Sequence, residues 1–399
     1  MLRDSHTAVT GLLIVVLALL IPACHTDRDS QTLRPRQLRD VPANKLAFNF
    51  QADVEPPANL PSDEAKSAPA IQQDFDSRRQ QDALQRTVMS PDGQRALALY
   101  GTADEPTTTF RIDLYSADGT FLRNVTPPTL AVVFPDSVTW SADSSMIAFV
   151  GRKSAAAQPS PTPLELQPEP LLPSASPVPT ATIGPTFLPL AVFNTEQVYV
   201  CNRDGFELRP LTSRDGLIYF GLAWAPDSHA LAALACKENE WEAREKEFKT
   251  PAGRPRLIMT DGAERLLDDQ LAEAPIVWSP VSSKVATAFE SDIGVYDAAN
   301  KSPTQARIKL TETLLTASAA YEERLPGKKI ESAKPDQAQT NSPTTAFHAS
   351  FNPIVRLDWL TPDKLYLETA FIRLFNEPVH TWSRWHLVTF SPQAAVLKR

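Results

Sequence analysis

The sequence predicts an all-β fold, a β-propeller of four-stranded blades, on three observations. One short unit recurs five times. Each copy turns through Pro, Asp or both into an apolar strand. A second hairpin follows each copy, marked three times by Asp-Gly. Composition agrees: of 399 residues 36 are Pro and 13 Gly, against typical shares of about 5% and 7%. Lys plus Arg is 39 and Asp plus Glu 47, a formal charge of −8. No nucleic-acid partner is expected, because that needs a basic face. Three Cys exclude a disulfide scaffold.

The chain begins with an apolar run, Ala8 to Ala23, that ends Ile21-Pro22-Ala23-Cys24. Sixteen residues is short for a membrane span of about 20 and suits the apolar core of a signal peptide. The ending resembles the bacterial lipobox. That resemblance implies signal-peptide removal at 1–23, a diacylglyceryl thioether on Cys24 and a lipid-held position on the extracytoplasmic face of a bacterial membrane. An uncleaved anchor and simple secretion are the alternatives. Residues 24–86 are polar and Pro-dotted. Such a stretch buries too little apolar area to offset chain entropy, so most of it reads as a flexible tether, with Leu46 to Phe50 as one strand.

The repeats fill 87–399. The first is Val88-Met89-Ser90-Pro91-Asp92-Gly93, and the second Val138-Thr139-Trp140-Ser141-Ala142-Asp143-Ser144. Leu222-Ala223-Trp224-Ala225-Pro226-Asp227-Ser228, Ile276-Val277-Trp278-Ser279-Pro280-Val281-Ser282 and Leu357-Asp358-Trp359-Leu360-Thr361-Pro362-Asp363 follow. Pro pre-sets φ, Asp92, Asp143 and Asp227 cap the turn, and the small residue after them tolerates positive φ. Trp140, Trp224, Trp278 and Trp359 place a large ring where stacked sheets meet. Asp118-Gly119, Asp204-Gly205 and Asp261-Gly262 between alternating strands are the strongest short hairpin signal. Two hairpins make four strands. The copies are 51, 84, 54 and 81 residues apart. With the insertions removed, roughly 45–50 residues remain per blade.

These repeats resemble the WD-type propeller repeats of the TolB family. The resemblance covers about Thr87 to Lys398 and implies six blades. Five are recognised, and Leu46–Phe50 with the C-terminal strands is one source for the missing blade.

Two insertions interrupt the repeats. Residues 154–189 hold ten Pro and read as a disordered or polyproline-like loop. A docking segment for the cell wall or a Pro-recognising domain is its functional reading, and a solvated spacer the expected one. The polar insertion 311–348 opens with good helix formers, Thr313 to Leu325. Lys237 to Lys249 also reads as a short helix, with Trp241 and Phe248 on one face.

Catalytic motifs are missing. No Gly-x-Ser-x-Gly elbow, His-Glu-x-x-His or Cys-x-x-Cys occurs, so no enzyme, cofactor or metal is expected. His380 and His386 beside Trp382 and Trp385 read as packed strand residues. An oxidising compartment permits a Cys201–Cys236 disulfide. Two buried thiols is the expected outcome, since strands seldom bring Cα atoms within about 7 Å by chance. The expected function is a membrane-anchored, non-catalytic scaffold for envelope proteins. The alternatives are a propeller that binds or cleaves carbohydrate or peptide at its channel mouth, and a plain structural lipoprotein. The mouth reading requires carboxylates and aromatics to converge, with Asp136, Arg214 and Glu273 among them.

Overall fold

The computed structural model describes residues 37–58, 60, 68–79, 82–101, 109–153, 196–247, 249–299, 302–324, 350–351, 353–373 and 380–391. Cys24 with its signal peptide, the Pro-rich loop 154–189, Phe248 and most of the polar insertion lie outside the described residues.

Antiparallel strands dominate. After β1 (Ala47–Gln51), the first quartet is β2 (Ala83–Met89), β3 (Arg95–Gly101), β4 (Phe110–Ser116) and β5 (Phe121–Asn124). A short β6 (Leu130–Val132) pairs both β4 and the next quartet, joining the two into one nine-stranded sheet. That second quartet is β7 (Thr139–Trp140), β8 (Met146–Lys153), β9 (Gln197–Asn202) and β10 (Arg209–Pro210). The third is β11 (Leu217–Trp224), β12 (Ala230–Lys237), β13 (Arg254–Met259) and β14 (Glu264–Leu266). The fourth is β15 (Val277–Trp278), β16 (Lys284–Phe289), β17 (Asp292–Asp297) and β18 (Gln305–Lys309). After β19 (Ser350–Phe351), which pairs β21, the last set holds β20 (Ile354–Thr361), β21 (Lys364–Arg373) and β22 (His380–Ser391). Its fourth strand is β1, antiparallel to β22 with Ala47 opposite Ser391.

The turn chemistry explains the first hairpin of each set. Gly93, Ser144, Ser228 and Ser282 take φ of 69°, 61°, 63° and 54°. Asp92 Oδ1 accepts the Gln94 N–H at 3.0 Å, and Asp143 Oδ1 the Ser145 N–H at 3.0 Å. Successive turns also bond to each other. The N–H of Asp92 donates to Ser144 Oγ at 3.0 Å, that of Asp143 to Ser228 Oγ at 3.1 Å, and that of Asp227 to Ser282 Oγ at 3.0 Å.

Strand alternation builds the core between sheets. β8 turns Ile147 and Phe149 toward the first set, and Ala148 and Val150 toward the third. β12 and β16 repeat the pattern. Each repeat Trp lies in the cluster between its own sheet and the preceding one. Trp140 Nε1 donates back to Val88 O at 3.1 Å, and Trp278 Nε1 to Ala223 O at 3.0 Å. Trp359 instead points its Nε1 at Pro362 O in its own turn, at 3.4 Å. The Trp224 indole N–H has no partner among the described residues.

Two expectations change here. No sixth four-stranded set occurs among the described residues, and Leu46–Phe50 does not seed one: β1 completes the fifth set. Much of the segment read as tether is also packed into the fold. Helix α1 (Pro69–Arg78) buries Ile71 against Ala96, Ala98, Tyr100 and Tyr115. Arg79 stacks over Tyr100, Tyr115 and Phe121 and pairs with the buried Asp113. The helix hides because its sequence presents little apolar area, with Ile71 and Phe75 as its large apolar residues.

Candidate functional site

The strand order sorts the loops onto two ends. First-to-second and third-to-fourth turns share one, the turn end, where the described loops are tight. Second-to-third connections and links between sets share the other. That insertion end carries both the helix that follows β12 and α3 (Thr311–Arg324). Repeat residues Asp92, Asp143 and Asp227 lie at the turn end, where their bonds are structural.

On the insertion end, α2 (Glu238–Lys246) crosses the third set. Glu240 starts it by accepting the Lys237 N–H at 2.9 Å, and holds it down through a two-pronged pair with Arg254 at 2.7 and 2.8 Å. Trp241 then meets Phe134 at 5.2 Å and the edge of Phe220 at 5.4 Å between ring centroids. Phe134 comes from the link between the first two sets, and Phe220 from a bulged stretch of β11. Gly221 takes φ of 60° in that bulge. A Cβ on Gly253 would stand 2.9 Å from the Phe220 ring and 2.7 Å from the Ala235 nitrogen, so glycine lets these elements close together. All three rings are half-buried.

Glu196 stands beside this cluster's strands, its N–H donating to Leu217 O at 3.2 Å at the head of β11. Its side chain is 7% exposed. Arg152 Nη1 lies 3.6 Å from one carboxylate oxygen, and the other oxygen has no partner among the described residues. Burial raises its pKa despite Arg152, and Glu238 adds to the rise. A carboxyl held toward its neutral form can donate a hydrogen bond or a proton, and perturbed carboxyls mark functional sites more often than average.

Asp136, Arg214 and Glu273 do not converge. Asp136 pairs with Arg86 at 2.9 Å, Arg214 with Glu264 at 3.1 Å, and Glu273 with Arg244. They share no partner among the described residues. Phe134, Phe220 and Glu196 carried no sequence signal, being single residues in unrelated segments. Trp241 was legible as the apolar side of a helix.

Cys201 and Cys236 are free and buried. Cys201 faces the first set, while Cys236 shares the side of β12 that faces the fourth. Desolvation pushes both thiols up to about 12. His386 is fully buried and stacks on Phe50 at 5.5 Å. Among the described residues no group of three or more His, Cys, Asp or Glu is placed to hold a metal ion.

No family model and no curated protein sequence matches the chain. Solved structures do. A nidogen/laminin complex matches at 10% identity and TM-score 0.33, covering 76% of this chain and 82% of that one. An oligogalacturonate lyase in complex with manganese matches at 10% and 0.28, covering 77% and 88%. Prolyl oligopeptidase B from Galerina marginata, bound to a 25mer macrocyclization substrate, matches at 9% and 0.40, covering 79% of this chain and 34% of that one. At this level the likenesses assign no activity. Two of these three are enzymes, against the expectation that the chain is not one. The chain is mostly β-sheet in several antiparallel sheets, and its neighbours in structure are propeller-like.

Proposed function

We propose that the chain is a lipid-anchored, extracytoplasmic TolB-like propeller that binds a carbohydrate or peptide at its insertion end. The described quartets are five of its blades, and β1 beside β22 is the strand that closes the ring. A shared strand of this kind removes an exposed sheet edge. The observation that carries the binding reading is the meeting of Phe134, Phe220 and Trp241, from three chain segments, beside the buried Glu196. Aromatic faces offer apolar area to sugar rings and side chains, and a buried carboxyl supplies a directional hydrogen-bonding group. Anchoring on Cys24 rests on the lipobox resemblance and holds the site near an envelope surface.

The test exposes the intact chain and its Trp241→Ala variant to an array of cell-wall glycan fragments and a random peptide library. Wild-type binding that falls at least tenfold in the variant, at unchanged circular dichroism, supports the site. Failure of the wild type on both collections, or equal binding by the variant, sinks it. Mass analysis of bound probes then separates binding from cleavage.

A further inference from the structure

We propose that the turn end of the fourth and fifth sets is the surface that rests on the membrane, so the insertion end faces away from it. This builds on the Cys24 anchor, and the observations that carry it are where the chain enters the fold and what surrounds that point.

The entering segment is pinned at the turn end. Leu38 O accepts from Lys284 Nζ at 3.2 Å, where β16 begins. The Ala43 N–H donates to both oxygens of Asp297, at 3.0 and 3.2 Å, where β17 ends. The Asn44 N–H donates to Thr304 Oγ1 at 3.2 Å, just before β18. Ala47 then pairs with Ser391 at the end of β22. Lys284 and Asp297 are 2% and 0% exposed and form an ion pair at 3.4 Å. Removing one partner of such a pair strands a buried charge, so the strap is firmly held.

Apolar side chains stand exposed around the entry point. Leu38 and Arg39 line a crevice with Ser279, Val281, Trp359 and Pro362. Val281 is 42% exposed and stands in the turn position that Asp92, Asp143 and Asp227 fill elsewhere. Leu360 in the fifth turn is 38% exposed. Arg39, exposed and 3.6 Å from the equally exposed Asp40, adds a guanidinium that lipid phosphate can share. Two aliphatic tips and an arginine form a small lipid-contacting patch, sufficient to orient a body that acyl chains already hold.

Chain length sets the geometry. Thirteen peptide units link Cys24 to Gln37. They reach about 45 Å at full extension, and a coil of that length spans about 20 Å. An eight-residue strand such as β12 is about 26 Å long. Placing the insertion end on the bilayer would need the link to span about 26 Å on average, beyond the coil's about 20 Å though well short of full extension. The turn end is within reach of a coil.

The experiment uses full-length acylated protein in vesicles of phosphatidylethanolamine and phosphatidylglycerol at 3:1. Single fluorescent labels go on Val281→Cys, on Leu360→Cys, and on Glu245→Cys in the exposed part of α2. A headgroup-nitroxide lipid quenches according to distance. Quenching at positions 281 and 360 at least threefold above that at 245 is the expected result. Equal or reversed quenching on acylated protein overturns the orientation alone. The mass of the N-terminal fragment, read on the same sample, separates the other failure: without a diacylglyceryl group on Cys24 the anchor reading falls, and the orientation with it.

Discussion

Acid should loosen this protein through His386. The ring is fully buried. Its Nδ1 accepts the Asp53 N–H at 3.2 Å, which leaves the proton on Nε2, in contact with Thr369 Oγ1 at 3.1 Å. Protonating Nδ1 would turn the acceptor into a donor facing a donor. Desolvation first, then the Arg384 charge, hold the folded pKa at about 4, while Asp53 works the other way. The unfolded value is about 6.5. Between the two the unfolded chain binds more protons, so stability rises with pH across this window. The contribution is complete above pH 6.5 and is lost as pH falls toward 4. At 1.36 kcal/mol per unit, the loss by pH 4.5 is about 2.5 kcal/mol. Urea melts followed by circular dichroism at pH 7.5 and 4.5 measure it, with His386→Gln as reference. The variant is less stable at pH 7.5 but lacks this part of the pH dependence, and other titrating groups cancel in the comparison. Equal pH slopes for wild type and variant would refute the assignment.

Two further predictions concern the core and the turns. Ser144→Ala removes the acceptor of the Asp92 N–H while keeping a Cβ at φ of 61°; it should cost about 1–2 kcal/mol in thermal melts. Ser144→Gly loses the same bond but relaxes the backbone, so it should cost less. Cys201 and Cys236 should resist a thiol reagent at pH 8 in the native state and react only as the protein unfolds. Fast native labelling of either would contradict their burial.

Local chemistry was legible in the sequence. Pro91-Asp92-Gly93 and its relatives specify a turn within six residues, and Asp-Gly specifies a hairpin within two. The α2 and α3 helices are likewise written in contiguous helix formers. That Leu46–Phe50 joins the C-terminal strands was among the readings the sequence allowed, but that β1 completes the fifth set was not legible. Its five residues alternate like any strand, and their partner lies more than 300 residues away. Helix α1 was missed because ten mostly polar residues carry no strong periodicity. The candidate site was half visible: Trp241 stood out on its helix, whereas Phe134, Phe220 and Glu196 acquire meaning only as neighbours.

The sequence by itself therefore determined the repeating hairpin, the identity of its turn residues and the Trp at each sheet interface, because each depends on a few adjacent residues. Tertiary structure decided that α2 and α3 share one end, that the fifth set borrows its fourth strand from the N-terminal segment, and that Glu196 loses water while one oxygen has no partner among the described residues. Those outcomes depend on packing between sheets and on desolvation, which arise only when distant segments meet.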